Sequence, residues 1–405
     1  MEKNNTNQIQ SDTAHKLSLI RLATKFHKDK KQKIDKKDEK WKKSHVKKDP
    51  LKIYDMNGQL LFYEFDVGLE SNKIGRIKAS ANKVLGPAVW TIEMGERRWN
   101  PEKAMEIASE MFQKKYESKP KDIKLVCYCY PKIGVLASGK EKQRETILID
   151  VASFAPITQE ITEEQKIGSA VYSVFDSIPE KDKLDRIKKW EREHQFGQEH
   201  FADLDPTRSV LEAMEYAEVF QVFWGGTKRL GLTLNGQEHC VWCAPATGQM
   251  LLRYFNYYYE QPDIVTAMNT GWDPNHCYGG SYLSDIVNGI EELTRNYIDS
   301  SSDGSPTWAE ARDEIDDGNP LGSVVPGHIR ACDGYSWSRY PYYSHHYYIS
   351  VIRHYLYILD PWPVGPNNTF CNPDGGTEYW EDWDTTTHWY HVYCRPCEGT
   401  MTCND

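Results

Sequence analysis

One stretch of this chain, from Gln237 to Glu260, constrains its fold more than any other: QEHCVWCAPATGQMLLRYFNYYYE. The second half of the stretch repeats apolar residues at three- and four-residue spacing, which predicts an amphipathic helix with one buried face. Pro245 suits the first turn of that helix, where its missing N–H would have no partner. We therefore expect Cys243 at the N-terminus of a buried helix, where the partial positive charge of the helix favours a thiolate.

Composition limits the kinds of protein this chain can be. A length of 405 residues favours two domains, and 13 Trp and 25 Tyr argue against a disordered chain. The net charge of −10 argues against nucleic acid as a partner. No apolar run has the length of a membrane span, and the first residues lack the apolar core of a signal peptide. We therefore predict a cytoplasmic protein, with an unrecognised export route left open.

The cysteines argue against a cytoplasmic location, because most of them lie in the second half of the chain: Cys240, Cys243, Cys277, Cys332, Cys371, Cys394, Cys397 and Cys403. Such a set indicates disulfides in an exported protein, whereas reduced thiols or a metal site are the expectation without a signal. Two Cys-x-x-Cys pairs, Cys240 with Cys243 and Cys394 with Cys397, could together bind structural zinc. Their wide separation disfavours that site, so we expect no role for Cys240 and no metal.

The first half of the chain divides into three segments. Residues 1–49 predict a basic arm, helical or disordered, whose lysine run Lys28–Lys48 is either a solvated helix or a patch for nucleic acid or a membrane. Residues 50–158 predict a small α+β module, with an Asn-Gly hairpin signal between two β-rich runs and a helix after Asn100. Residues 159–199 are charged and predict a helical linker.

A second domain is predicted over residues 200–405. Amphipathic helices come first, at 281–297 and 308–318 after the helix of Cys243. Aromatic and β-branched strands follow them. This order, without strand–helix–strand alternation, predicts an α+β domain in which the helices are segregated from the sheet.

A cysteine nucleophile needs a base, a residue that orients the base, and donors for the oxyanion. His328 follows a glycine at the start of a predicted strand and can be the base. Asp360 ends a later strand and can orient the imidazole. Gln237, six residues before Cys243, can donate an amide N–H to the oxyanion, and the backbone N–H of Cys243 can be the second donor.

This ordered set resembles the papain-like cysteine peptidases, and most closely their bacteriocin-processing branch, the peptidase C39-like one. The cysteine motif resembles Trp-Cys-x-x-Ala with a downstream Gln-Met, the histidine motif resembles Gly-His-x-Arg with a following Gly-Tyr, and the acidic motif resembles Asp-Pro-Trp. The matching residues are Trp242 to Ala246 with Gln249-Met250, Gly327 to Arg330 with Gly334-Tyr335, and Asp360 to Trp362. The likeness covers about 230–365.

The resemblance implies a papain-like fold, with the nucleophile's helix packed on an antiparallel sheet, and hydrolysis of peptide bonds without a cofactor. Its implied catalytic residues are Cys243, His328 and Asp360, with Gln237 as the oxyanion donor, and its implied partner is a peptide or protein substrate. Peptidases of this type are commonly made with an N-terminal inhibitory segment, so the module at 50–158 is either such a propeptide or an accessory domain.

Three alternatives stay open. His328 and Asp360 are 32 residues apart, which an inserted hairpin at 336–354 would explain; otherwise His346 is the base. A related acyl transferase or amidase would have the same Cys-His-Asp set. A non-catalytic binding protein, stabilised by zinc or disulfides, would have the fold without the activity.

Overall fold

The structure of the protein is a computed structural model that describes residues 7–26, 36–140, 145–157, 166–217, 224–273, 275–344, 347–365 and 375–397. His346, the alternative base, lies outside these residues, as do Cys371, Cys403 and the start of the lysine run. Within them, no helix is both long enough and apolar enough to cross a membrane.

The helices are α1 (Ser11–Phe26), α2 (Lys36–Lys42), α3 (Pro101–Tyr116), α4 (Glu180–His200), α5 (Val210–Ala217), α6 (Cys243–Tyr254), α7 (Gln261–Ala267), α8 (Leu283–Thr294) and α9 (Trp308–Asp317). The strands of the first half are β1 (His45–Val46), β2 (Leu51–Asp55), β3 (Leu60–Leu69), β4 (Asn72–Ser80), β5 (Val89–Met94), β6 (Asp122–Cys129), β7 (Lys132–Ser138), β8 (Thr146–Asp150) and β9 (Lys166–Gly168). Those of the second half are β10 (Trp224–Arg229), β11 (Gly271–Asp273), β12 (His276–Tyr282), β13 (Ile298–Asp303), β14 (Leu321–Val325), β15 (His328–Ser344), β16 (Tyr347–Asp360), β17 (Thr377–Asp382) and β18 (Tyr390–Pro396).

One large sheet runs through both halves of the chain, in the order β13-β18-β14-β15-β16-β17-β5-β4-β3-β2-β6-β7-β8. Its pairs are antiparallel except that of β2 with β6. The halves join where β17 pairs with β5, with Glu378 opposite Met94. Because an unpaired strand exposes its N–H and C=O groups, this pairing gives each half a partner for an otherwise open edge.

Several sequence predictions are confirmed locally. The Asn-Gly turn joins β2 to β3, and Gly58 has the positive φ of 86° that such a turn requires. Helix α3 begins after Asn100, whose side chain accepts the backbone N–H of Lys103. Helix α6 begins at Cys243 but ends at Tyr254, earlier than the apolar spacing predicts, because Asn256 adopts a left-handed φ of 67°. Tyr258 is consequently exposed.

The described architecture is mixed, with helices and a large sheet, and α6 packs against β15 in the predicted manner. The hydroxyl of Thr247 in α6 donates to the carbonyl of Ile329 in β15 (3.1 Å). Helices of the first half also pack on this body. Arg21 of α1 and Glu193 of α4 are both buried and form an ion pair at 3.0 Å. The division into arm, module, linker and peptidase domain remains a prediction.

A second, smaller sheet consists of β11, β12 and β9, with Gly280 of β12 opposite Gly168 of β9. A disulfide between Cys240 and Cys277 ties β12 to the loop that precedes α6. The chain segment that begins with β9 is thereby held beside the N-terminus of the helix that carries Cys243.

Candidate active site

Cys243 is the first residue of α6 and is fully buried. Burial alone would raise the pKa of its thiol. The positive charges of Lys132 and His328, with smaller contributions from the His328 side chain and the Ile329 backbone, oppose burial and lower the pKa to about 7. The site therefore favours the thiolate, which is the nucleophilic form of cysteine.

The other described free cysteines behave in the opposite way. Burial raises the pKa of Cys129, Cys332 and Cys394 to about 12, and raises that of Cys127 well above its ordinary value. All of them are as buried as Cys243. Lys132 also lowers the pKa of Cys129, but Cys243 and Asp360 raise it, so the combined positive charges of Lys132 and His328 are what distinguish Cys243.

His328 and Asp360 are adjacent in space although they are 32 residues apart in sequence. His328 begins β15, Asp360 ends β16, and these two strands form one long hairpin that returns the chain to its starting point. The Nε2 atom of His328 lies 2.7 Å from Oδ1 of Asp360. The long hairpin expected from the sequence is therefore the reason for the wide separation. A proton held on Nε2 leaves Nδ1 for the side of Cys243.

Asp360 is itself held by two donors. The backbone N–H of Trp362 donates to Oδ1 at 2.9 Å, and the hydroxyl of Tyr379 donates to Oδ2 at 3.0 Å. Burial alone would raise the pKa of Asp360. The charges of His328 and Arg330, with the hydrogen bonds to His328 and Trp362, lower it below its ordinary value. The carboxylate is thus fixed in position and ionised.

Gln237 is buried beside this group. Its backbone N–H donates to the carbonyl of Pro361 (2.9 Å), so the loop before α6 is joined to the Asp-Pro-Trp motif. Its side-chain amide donates to the carbonyl of His239 (2.8 Å). Gln237 is thus joined to the Asp-Pro-Trp motif through its backbone and to the loop before α6 through its side chain, and its role as the oxyanion donor stays a prediction.

Two features of the candidate site were not predicted from the sequence. Lys132, at the start of β7, contributes a positive charge to Cys243. Gly168 of β9 donates its backbone N–H to the carbonyl of Gly327 (3.2 Å), immediately before His328. Both residues come from the first half of the chain, and no local motif marks either one, because only the tertiary fold brings them to α6.

The cysteine expectations need correction. Cys240 is bonded to Cys277 rather than without a role, and Cys397 is also disulfide-bonded. The four-thiolate zinc site would need both Cys240 and Cys397 as free ligands, so it is not available. Among the described residues, no group of three or more His, Cys, Asp or Glu side chains could hold a metal ion. Because disulfides persist mainly in oxidising compartments, they weigh against the predicted cytoplasmic location.

Comparison with known families bears on this region. Residues 230–385 match the model of the Peptidase_C39 like family. The resemblance to C39-like peptidases is confirmed for this part of the chain. The C39-like region contains Cys243, His328, Asp360 and Gln237, whereas Lys132 and Gly168 lie outside it.

Two solved structures resemble the chain weakly. One is a double-glycine-motif protease from an AMS/PCAT transporter in complex with its leader peptide, with 12% identity, 42% of this chain and 95% of that chain covered, and a TM-score of 0.28. The other is the peptidase domain of Streptococcus ComA, a bi-functional ABC transporter, with 13% identity, 41% and 100% covered, and a TM-score of 0.27. No curated protein matches the chain.

Proposed function

We propose that this protein is a cysteine peptidase in which Cys243 is the nucleophile, His328 the general base and acid, and Asp360 the residue that orients the imidazole. One observation carries the proposal. Cys243, buried at the start of α6, has a pKa lowered to about 7 beside a histidine whose far nitrogen is bonded to a buried carboxylate. The match to the Peptidase_C39 like family over the same residues supports it.

The proposed reaction is acyl transfer to water. The Cys243 thiolate attacks the peptide carbonyl carbon, and the oxyanion is stabilised by the backbone N–H of Cys243 and the amide of Gln237. Collapse of the tetrahedral intermediate breaks the C–N bond, and the His328 imidazolium gives its proton to the leaving amine. The neutral imidazole then takes a proton from water, which attacks the thioester carbon. Collapse of the second tetrahedral intermediate breaks the C–S bond, releases the acid and restores the thiolate–imidazolium pair.

The substrate site is proposed to be occupied by the chain itself, through the segment 166–170. This segment forms hydrogen bonds on both sides. The N–H of Gly168 donates to Gly327, which precedes His328, and the N–H of Ser169 donates to the carbonyl of Gly279 in β12 (2.8 Å). Cys243 and His328 are both fully buried in this arrangement. An extended peptide that adds to a strand edge is a common mode of peptide recognition.

Only glycine fits the central position of that segment. A Cβ atom on Gly168 would lie 2.5 Å from both the carbonyl oxygen of Gly279 and the Cα of Gly280, and Gly168 has a φ of 154°. Backbone atoms cannot move aside as a flexible side chain can. The resemblance implies intramolecular inhibition by the module at 50–158. We propose that the segment 166–170, which lies in the predicted linker, carries out this inhibition instead.

The decisive test of the peptidase proposal is alkylation of the full chain by limiting iodoacetamide as a function of pH, with peptide mapping. We expect labelling of Cys243 to rise with a midpoint near pH 7, since its pKa is about 7. His328→Ala should abolish labelling at neutral pH, whereas His346→Ala should leave it unchanged. Cys332, equally buried, is the internal control.

Labelling of Cys243 only at the alkaline pH of Cys332 would contradict the proposal. The same preparations, assayed with a peptide library, should release new amino termini slowly in the wild type, whose substrate site is occupied by the segment 166–170, and none in Cys243→Ala. Adding an amine acceptor to that assay separates hydrolysis from acyl transfer, because a transferase would form an amide product instead of a free carboxylate.

A further inference from the structure

Lys132 is buried in an unusual way, with only 1% of its surface exposed. Its Nζ donates to the carbonyl oxygen of Gly168 at 2.9 Å. Within the described residues, this is the one hydrogen bond of the Lys132 ammonium group, and no carboxylate forms an ion pair with that group. Lys78, the other deeply buried lysine of this sheet, is instead paired with Glu93 and Glu64. A buried ammonium ion is costly unless a negative charge lies close to it.

The charges around Cys243 do not balance without one more cation. When the nucleophile is ionised, the thiolate and Asp360 each carry a negative charge, and the His328 imidazolium carries one positive charge. Arg330 is paired with Glu381 at 2.6 Å and is neutralised by it. Burial raises the pKa of Cys129 to about 12, so this thiol is neutral, and burial lowers the pKa of His239, a further titratable group that the Lys132 charge reaches. The site would therefore hold a net negative charge in a buried environment without a further positive group.

We propose that Lys132 supplies this charge, as the electrostatic partner of the Cys243 thiolate within the active site. The inference rests on the proposed function, because it takes Cys243 as the nucleophile. Lys132 belongs to the first half of the chain and lies outside the C39-like region. The active site is thus completed by a strand that the family match does not include.

The path from Lys132 to the site is short. The end of β6 lies against the turn that precedes β15, since the Sγ of Cys129 donates to the carbonyl of Pro326 at 3.4 Å. Lys132 follows this turn, bonds to Gly168, and Gly168 in turn bonds to Gly327. When a peptide replaces the segment 166–170, Lys132 is left next to Cys243 with its charge uncompensated by any described carboxylate.

The test is a pH titration of the Cys243 thiolate in the full chain, followed by ultraviolet thiolate absorbance with Cys243→Ser as the blank. This readout does not require a reagent to enter the site. The variants are Lys132→Gln, which retains a donor for Gly168 without the charge, and Lys132→Arg, which retains the charge. Lys124→Met, a substitution of a partly exposed lysine on β6, is the control.

We expect Lys132→Gln to raise the titration midpoint by about one pH unit or more, a roughly tenfold fall in the ratio of thiolate to thiol at neutral pH. Lys132→Arg and Lys124→Met should leave it near the wild-type value. Lys132→Met is a second uncharged variant, to be used if the Gln variant does not fold. A purely structural role for Lys132 would alter the thermal unfolding midpoint without moving the thiolate titration.

An unchanged midpoint in a folded, uncharged variant would overturn the inference. If His328→Ala still moves the midpoint in that case, the proposed nucleophile and base stand and only the role of Lys132 fails. If the wild-type thiol itself titrates at the alkaline pH of an ordinary buried cysteine, the peptidase proposal fails instead.

Discussion

At the scale of single residues, Asp360 decides whether the candidate histidine can work. Its carboxylate receives the Trp362 N–H and the Tyr379 hydroxyl, and its Oδ1 bonds to Nε2 of His328. These bonds hold the imidazole in one tautomer and one orientation. The hydrogen bonds that position the carboxylate and the charge of the carboxylate are therefore separate contributions, and each can be tested by its own substitution.

Asp360→Asn removes the charge and changes the shape little. We expect kcat to fall by about 10³–10⁴-fold, because the imidazole loses the partner that fixes its tautomer and stabilises its positive charge. The Cys243 titration midpoint should rise in the same variant. Tyr379→Phe is the matched control, since it removes one hydrogen bond to the same carboxylate, and the one that Arg330 donates to Tyr379 (3.2 Å), without removing a charge. It should cost about 1.5–3 kcal/mol, a smaller loss of kcat than that of Asp360→Asn. Equal losses in the two variants would contradict the role of the charge.

At the scale of elements, β9 is the strand that we propose closes the site. It pairs with β12, and the Cys240–Cys277 disulfide ties β12 to the loop before α6. The cross-link closes 37 residues and would stabilise the fold by about 3–4 kcal/mol in the chain-entropy description. β12, the strand that pairs with β9, is thus anchored covalently. β9 itself is held by hydrogen bonds and by the close packing around Gly168.

Gly168→Ala should expel the segment 166–170 from the site. The new Cβ would overlap the backbone of Gly279 and Gly280, and the φ of 154° would be strained for alanine. We expect faster alkylation of Cys243 and a higher rate of peptide cleavage. Gly58→Ala is the control, because Gly58 also has a positive φ but has no atom within 4 Å of the added Cβ. Unchanged or slower cleavage in a folded Gly168→Ala protein would refute inhibition by this segment.

At the scale of the whole molecule, the two halves are one folded body in the described residues. The sheet is continuous from β17 to β5, and the indole N–H of Trp362 donates to Asp150 of β8 (2.9 Å). Trp362 follows Asp360 by two residues, so the N-terminal strands also support the acidic motif. Removal of a propeptide leaves a complete enzyme behind. Removal of the N-terminal strands would instead break the pairing of β17 with β5 and the hydrogen bond from Trp362 to Asp150.

A fragment that begins at residue 200 should therefore fail to fold cooperatively. It would lose the partner of β17, the anchor of Trp362 and the charge of Lys132. Co-expression with a fragment of residues 1–199 should restore both a cooperative thermal transition and peptide cleavage, since the interface includes paired strands and a shared core. Full activity of the 200–405 fragment alone would instead favour the propeptide interpretation.

The sequence by itself determined the local features of the site. Cys243 at a helix start, His328 after a glycine at a strand start and Asp360 before proline are each marked by their neighbours, because capping, turn and strand preferences act over a few residues. The pairing of distant strands was decided only by the tertiary structure. Burial of both sheet faces and of the β17–β5 edge selects which segments meet, and that selection places Lys132 and Gly168 beside α6. No short-range sequence pattern can indicate contacts between residues that lie so far apart along the chain.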